Sequence, residues 1–221
     1  LSTAGNVGSI RSLALGVDDS GAAGTLYVDD IRLYGRAPEF ITPLDPGSEG
    51  MVAHYGLDNN ANDSSGNGNN GTVEGTPDWT QGMVGDAMQF NGASTRVVAP
   101  HIPLDNRSFT VAMWINPVLY TAEQVVFSQT QTSATNTDMH FRLGGPGAAS
   151  GNVPAGGVRM AFYGNDLDTA GGLIQDNNWY HITFCYDFEN QERSIYIDGV
   201  LAVQASATPY LGNSGDTIIG A

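Results

Sequence analysis

The chain has 221 residues, 41% hydrophobic and only 14% charged, with a net charge of −15 at pH 7. That is apolar content enough for a core, but eight scattered arginines and no lysine supply no basic surface for nucleic acid or anionic membranes. No apolar stretch approaches the ~20 residues of a membrane-spanning helix, and nothing resembles a targeting segment. The 29 glycines, 17 Asp and 17 Asn favour tight turns over helices and point to an all-β protein. The acidity fits either solubility in a salty exterior or capture of Ca²⁺ by Asp and Asn oxygens.

The chain starts at Leu1 and stops within the apolar run Thr217–Ala221, and is read as an internal piece of a larger protein. Residues 1–37 hold two short β patterns, Ile10–Val17 and Thr25–Tyr34, around the turn residues Asp18-Asp19-Ser20-Gly21. Two strands do not fold alone, so these read as the C-terminal strands of a preceding β-domain. Residues 38–50 contain three of the ten prolines, two glycines and no period, and read as a linker.

The main domain is expected over 51–221. Strand-like runs recur at 51–57, 87–90, 95–99, 109–115, 124–128, 139–143, 158–163, 179–186, 194–197 and 200–205, with turn chemistry between them. Asp198-Gly199 between two alternating runs predicts a two-residue hairpin. In the 179–186 run Tyr180, Ile182, Phe184 and Tyr186 form the inward set. Cys185 then lies on the opposite face, a passive thiol without a partner in the chain. Phe109, Val111, Met113 and Ile115 alternate with Thr110, Ala112 and Trp114, which predicts a strand covered on both faces. Trp114 and Trp179 are expected in the core. Trp79 sits in a loop-like stretch, Gly75–Gly82, where it either caps the sandwich or touches a ligand.

Hydrolysis of a glycosidic bond needs two carboxylates in defined register. The six glutamates offer no such pair; Glu189 and Glu192, three apart, would point to opposite faces of a strand. The four histidines make no zinc spacing. The loop from Asp58 to Asn69 crowds oxygen ligands, but Asp63 at its sixth position and Asn69 at its twelfth exclude an EF-hand. Two readings stay open there: turn formation alone, or a Ca²⁺ site involving Asp58, Asp63 and Asn67. A sugar site needs an aromatic face flanked by polar groups. Asp138, His140 and Arg142 share one face of a run, with Tyr163 and Asn165 in a later loop and Trp79 as a further aromatic candidate. The alternative is an ordinary solvated polar face.

Four stretches carry a family resemblance: GMVAHYGLDNNANDSSGNGNNG at 50–71, GDAMQFNG at 85–92, FTVAMWIN at 109–116, and WYHITFCYD at 179–187 followed by IYIDG. In this order they resemble the bacterial laminin G-like, concanavalin A-like lectin family. The resemblance implies an all-β, two-sheet antiparallel β-sandwich, a concanavalin A-like jelly roll. It also implies a non-catalytic carbohydrate-binding or adhesion module on a large secreted or cell-surface bacterial protein, with a glycan or cell-surface polysaccharide as partner. A self-associating repeat of a surface layer or fibre, and a divergent glycoside hydrolase, are the alternatives. Thr25–Tyr34 resembles the last strand of jelly-roll carbohydrate-binding modules, which implies a structural Ca²⁺ at Asp30; an Asp30 facing a cross-strand Arg is the other reading. Family members finish with a Gly-x-Ile-Asp-Asp-Val-Arg-Ile-Tyr run absent before Ala221, so the sandwich is expected to be truncated, with an edge open to self-association. Thr25–Tyr34 would either fill that edge, in the same molecule or a neighbour, or be the tail of a preceding domain.

Overall fold

A computed structural model describes residues 49–130, 134–147, 152–212 and 214–220. Asp30, the two leading β patterns and nearly all of the linker lie outside them. Among the described residues there is no helix, and thirteen strands pair antiparallel throughout. They are β1 (Thr72–Glu74), β2 (Asp78–Gln81), β3 (Asp86–Gln89), β4 (Arg96–Ala99), β5 (Phe109–Ile115), β6 (Gln124–Gln129), β7 (Met139–Leu143), β8 (Val158–Ala161), β9 (Asp166–Asp168), β10 (Tyr180–Asp187), β11 (Glu192–Ile197), β12 (Val200–Ser206) and β13 (Thr217–Ile219).

One sheet runs β1-β4-β13-β6-β7-β8-β9 and the other β12-β11-β10-β5, while β2 and β3 form a separate ribbon. The expected all-β sandwich is thus present. Its core follows from alternation: β7 turns Met139, Phe141 and Leu143 inward and β10 turns Ile182, Phe184 and Tyr186 inward, all buried. Phe141 and Phe184 stack across the two sheets at 4.3 Å between centroids, and Phe127 stacks on Phe141 at 5.5 Å. A second aromatic knot joins Phe162 to Phe109, Tyr186 and Tyr210. Burying each such ring stabilises by about 1.5–3 kcal/mol. The Asp198-Gly199 hairpin forms as its residues dictate, with φ of 51° and 75°.

Several expectations need correction. Trp114 lies on the solvent side of β5, 42% exposed, because only the Phe109, Val111, Met113 and Ile115 face meets the core; Thr110 and Ala112 are exposed as well. Trp179 is only partly buried. Trp79 sits in β2 rather than a loop, opposite Met88 of β3, and packs on a small second cluster with Met88 and Val97. The 51–57 run makes a single bridge, Tyr55 to Asp63, because its polar groups bond to the loop that follows. The terminal apolar run becomes β13, seated between β4 and β6.

Replacing Phe184 by Ala should cost about 3–5 kcal/mol, whereas Trp114→Ala should cost about 1 kcal/mol or less. Urea unfolding of the two variants checks the ranking, and an equal loss would place Trp114 in the core after all.

Candidate functional site

The inward turn of Met139, Phe141 and Leu143 leaves His140 and Arg142 on the other face of the seven-stranded sheet. Register then decides what surrounds them. His140 faces Ser128 and Ala161, and Arg142 faces Val125 and Arg159, which in turn faces Asp168. Arg159 forks onto Asp168 through two bonds of 2.6 and 2.7 Å, with Asp166 at 3.5 Å and Glu123 at 3.9 Å. Arg142 donates to Glu123 Oε2, while Glu123 Oε1 accepts the Val153 N–H at 2.7 Å. The Nε of Arg142 is buried and has no hydrogen-bond partner among the described residues, while the side chain as a whole is 31% exposed.

A groove of about 500 Å³ opens here, lined by Thr121, Glu123, Val125, Arg142, Gly147 and Asn152, within the ~300–1,000 Å³ usual for small-ligand sites. The 120–122 segment crosses so closely over the end of β7 that a Cβ at Gly145 would sit 1.7 Å from the Tyr120 carbonyl and 2.5 Å from that of Ala122. Tyr120, next in the chain to the groove-lining Thr121, is 56% exposed.

Burial works against the charged form of Glu123, yet the Val153 N–H and the two arginines hold its carboxyl below the usual range. Burial, and then the charge of Arg142, depress the His140 imidazole, with Asp138 pulling the other way. The Arg159 guanidinium is pushed upward, chiefly by its bonds to Asp168.

Of the residues read as sugar ligands, Asp138, His140 and Arg142 do share a face, and the Tyr163 ring lies edge-on to His140 at 6.4 Å. Asp138 and His140 are buried, however; Asp138 accepts from the Thr130 hydroxyl and lies 3.5 Å from His140 Nδ1. Asn165 belongs elsewhere, its amide bonded to Asn136, Thr208 and Arg193. Trp79 is on the separate ribbon. Sequence reading missed Tyr120, Glu123 and Arg159. The alternation of β8 was a usable signal for Arg159, but its place beside Arg142 depends on a register that no local pattern reveals.

The loop read as a possible Ca²⁺ site is organised by Asp63. Its Oδ1 accepts the N–H groups of His54 (2.9 Å) and Ser65 (2.8 Å), and its Oδ2 accepts the Ser65 hydroxyl and the Asn69 N–H, both at 2.9 Å. Asn67 donates to the carbonyls of Met51 and Val52. Asp58 Oδ1 accepts the Asp86 N–H at 2.7 Å. The four protein donors on Asp63 are those of a turn-forming carboxylate. Among the described residues no group of three or more His, Cys, Asp or Glu converges.

A model of the concanavalin A-like lectin/glucanases superfamily matches residues 91–221, more than half of the chain and all the residues that line the groove. The chain belongs to that superfamily. Comparison with the curated proteins gives no match. Among solved structures, the chain is similar to domain 4 of AbnA, a GH43 extracellular arabinanase from Geobacillus stearothermophilus, solved in complex with arabinotriose. The identity is 23% and the TM-score 0.57, over 76% of this chain and 81% of that one. It is also similar to the binding domain of Paraclostridial Mosquitocidal Protein 1, at 16% identity and TM-score 0.55, over 72% of this chain but 41% of that one. At these identities the likeness shows the shared lectin-like fold.

Burial opposes ionisation of Asp63, but its backbone and hydroxyl donors bring the carboxyl down to about 2. A depressed native value stabilises the fold above the unfolded value of about 3.9 and is lost as pH falls towards 2. Asp63→Asn should therefore cost about 1–3 kcal/mol at pH 7 and flatten the loss of melting temperature between about pH 4 and pH 2. A variant that melts like the wild type at pH 7 refutes this role.

Proposed function

We propose that this domain is a non-catalytic carbohydrate-binding module of a secreted or cell-surface protein, and that it takes its glycan in the groove beside Tyr120. One observation carries the reading: a groove of small-ligand size is lined by the polar side chains of Arg142, Thr121 and Asn152, and the next residue in the chain before Thr121 is the exposed Tyr120. Tyr120 offers an apolar face to a sugar ring, and Arg142, Thr121 and Asn152 offer hydrogen bonds to its oxygens. The arabinotriose bound by the domain of the arabinanase is consistent with an oligosaccharide as ligand.

Catalysis is disfavoured by the same geometry. A glycosidase needs a carboxylic acid held protonated near neutral pH. Glu123, the acidic group lining the groove, is shifted the other way and bound to a cation. An adhesive role would use the same glycan contact.

The test is a glycan array followed by calorimetry on the best oligosaccharide. Arg142→Ala and Tyr120→Ala should each weaken binding by about tenfold or more, since each removes roughly 1.4 kcal/mol of contact. Affinity should stay level as pH falls from 8 to about 6.5, because His140 titrates below its ordinary value and Glu123 below its own. A bell-shaped profile around neutrality, or wild-type affinity in both variants, overturns the assignment. A structural Ca²⁺ held at Asp58 rather than Asp63 is a separate proposal. It requires EDTA to lower the melting temperature and Asp58→Asn to remove the difference.

A further inference from the structure

Of the side chains that line the groove, only Glu123 and Arg142 are charged, and the rim between Gly147 and Asn152, Gly-Ala-Ala-Ser-Gly-Asn, brings no charge in its sequence. The two are paired with each other, Arg142 donating to Glu123 Oε2. Glu123 is not free to swing aside, because its Oε1 accepts the Val153 N–H at 2.7 Å and its side chain is only 12% exposed. Burial opposes its ionisation, but the Val153 N–H and the arginines keep it a carboxylate through the neutral range. Arg142, at 31%, is the more open partner. A ligand thus reaches the cation but finds its charge already matched.

The surroundings add no spare positive charge. Arg159 is forked onto Asp168 and faces Asp166. Asp138 lies against His140, and Asp176 accepts the Leu119 N–H one residue before Tyr120. Burial and the charge of Arg142 hold the His140 imidazole below its ordinary value, so it is neutral at pH 7 and above. Even with the buried Arg193 counted, carboxylates outnumber guanidinium groups here, in a chain of net charge −15.

We infer, resting on the groove as the glycan site, that Glu123 sets its charge selectivity: the site takes neutral oligosaccharides and turns away those that carry a carboxylate, the uronic and sialic acids. An acidic sugar has two routes to Arg142, and both are costly. Sharing the guanidinium with Glu123 sets two like charges within roughly 5 Å of each other. Displacing Glu123 leaves a buried carboxylate without its cation. A neutral hydroxyl accepts an N–H of Arg142 without either cost, since it brings no charge to compete. The uncharged Thr121 and Asn152 supply further bonds.

Calorimetry on the intact chain tests this with size-matched trisaccharides: arabinotriose, xylotriose and cellotriose as neutral ligands, trigalacturonate and sialyllactose as acidic ones. The wild type should bind at least one neutral sugar about ten-fold more tightly than either acidic one. Raising NaCl from about 20 to about 500 mM should change that affinity less than about two-fold. Glu123→Gln keeps an acceptor for the Val153 N–H while removing the negative charge. The ratio of acidic to neutral affinity should then rise about ten-fold, and the acidic binding should weaken in salt. A purely structural role for Glu123 would lower both affinities together and leave the ratio alone. Circular dichroism melting checks that the variant folds, and the wild-type preference stands without any variant. Preference of the wild type for an acidic sugar, or an unchanged ratio in folded Glu123→Gln, overturns the selectivity; the groove reading survives either result if Arg142→Ala abolishes the binding. Silence of both panels on wild type and variant alike overturns the groove reading, and the selectivity with it.

Discussion

Everything in this domain depends on the stacking of Phe141 on Phe184 across the two sheets. A strand has a period of two, so fixing one residue inward fixes its neighbours outward. With Phe141 inward, His140 and Arg142 have no choice but the other face of β7. With Phe184 inward, Thr183 and Cys185 face solvent on β10, and His181 follows. The chemistry on both outer surfaces is therefore a by-product of one buried contact, and a one-residue slip in either strand would exchange core and surface together.

The groove is polar, yet few of its charges are loose. Arg159 is tied to Asp168 in a fork, and Glu123 is spent on Arg142 and the Val153 amide. Such pairs add little net stability once their desolvation is counted. Their effect is to hold the guanidinium planes still, so that a ligand need not order them on binding. This economy of motion fits recognition better than catalysis, where a group must change protonation during the reaction.

Much of the sandwich was legible in the sequence because alternation and turn residues are local signals. The runs at 139–143 and 180–186 and the Asp198-Gly199 hairpin were readable for that reason. The short strands β1, β9 and β13 were not, since three residues cannot display a period. Trp114 was misread for an instructive reason: its neighbours Thr110 and Ala112 look neutral to burial, and size alone suggested an interior place. The polar face was half legible. Asp138, His140 and Arg142 could be grouped by spacing, whereas Glu123 and Arg159 join them only through pairings between strands distant in sequence. Asn67 and Asp63 showed their oxygen chemistry plainly, but the choice between metal and turn rests on where the N–H groups of His54, Ser65 and Asn69 point.

The sheets are also joined by a buried cation. Arg193 of β11 is 2% exposed, lies 5.1 Å from the Phe162 ring centroid, and donates to the carbonyls of Met160 and Asn165 and to the Asn165 side chain. Burial lowers its guanidinium to about 10, still well above neutral pH, so it stays charged. Its partners lie in β8 and in the turn between β8 and β9, the turn that carries Tyr163 in a left-handed conformation and delivers Asp166 toward Arg159. A cation rooted in the four-stranded sheet thus fixes a turn of the seven-stranded one. Asn165, which reads as a sugar ligand, has a structural task here: its carbonyl and amide oxygens are the acceptors that make burying Arg193 tolerable. The residue supports the polar face through the turn that brings Asp166 to Arg159.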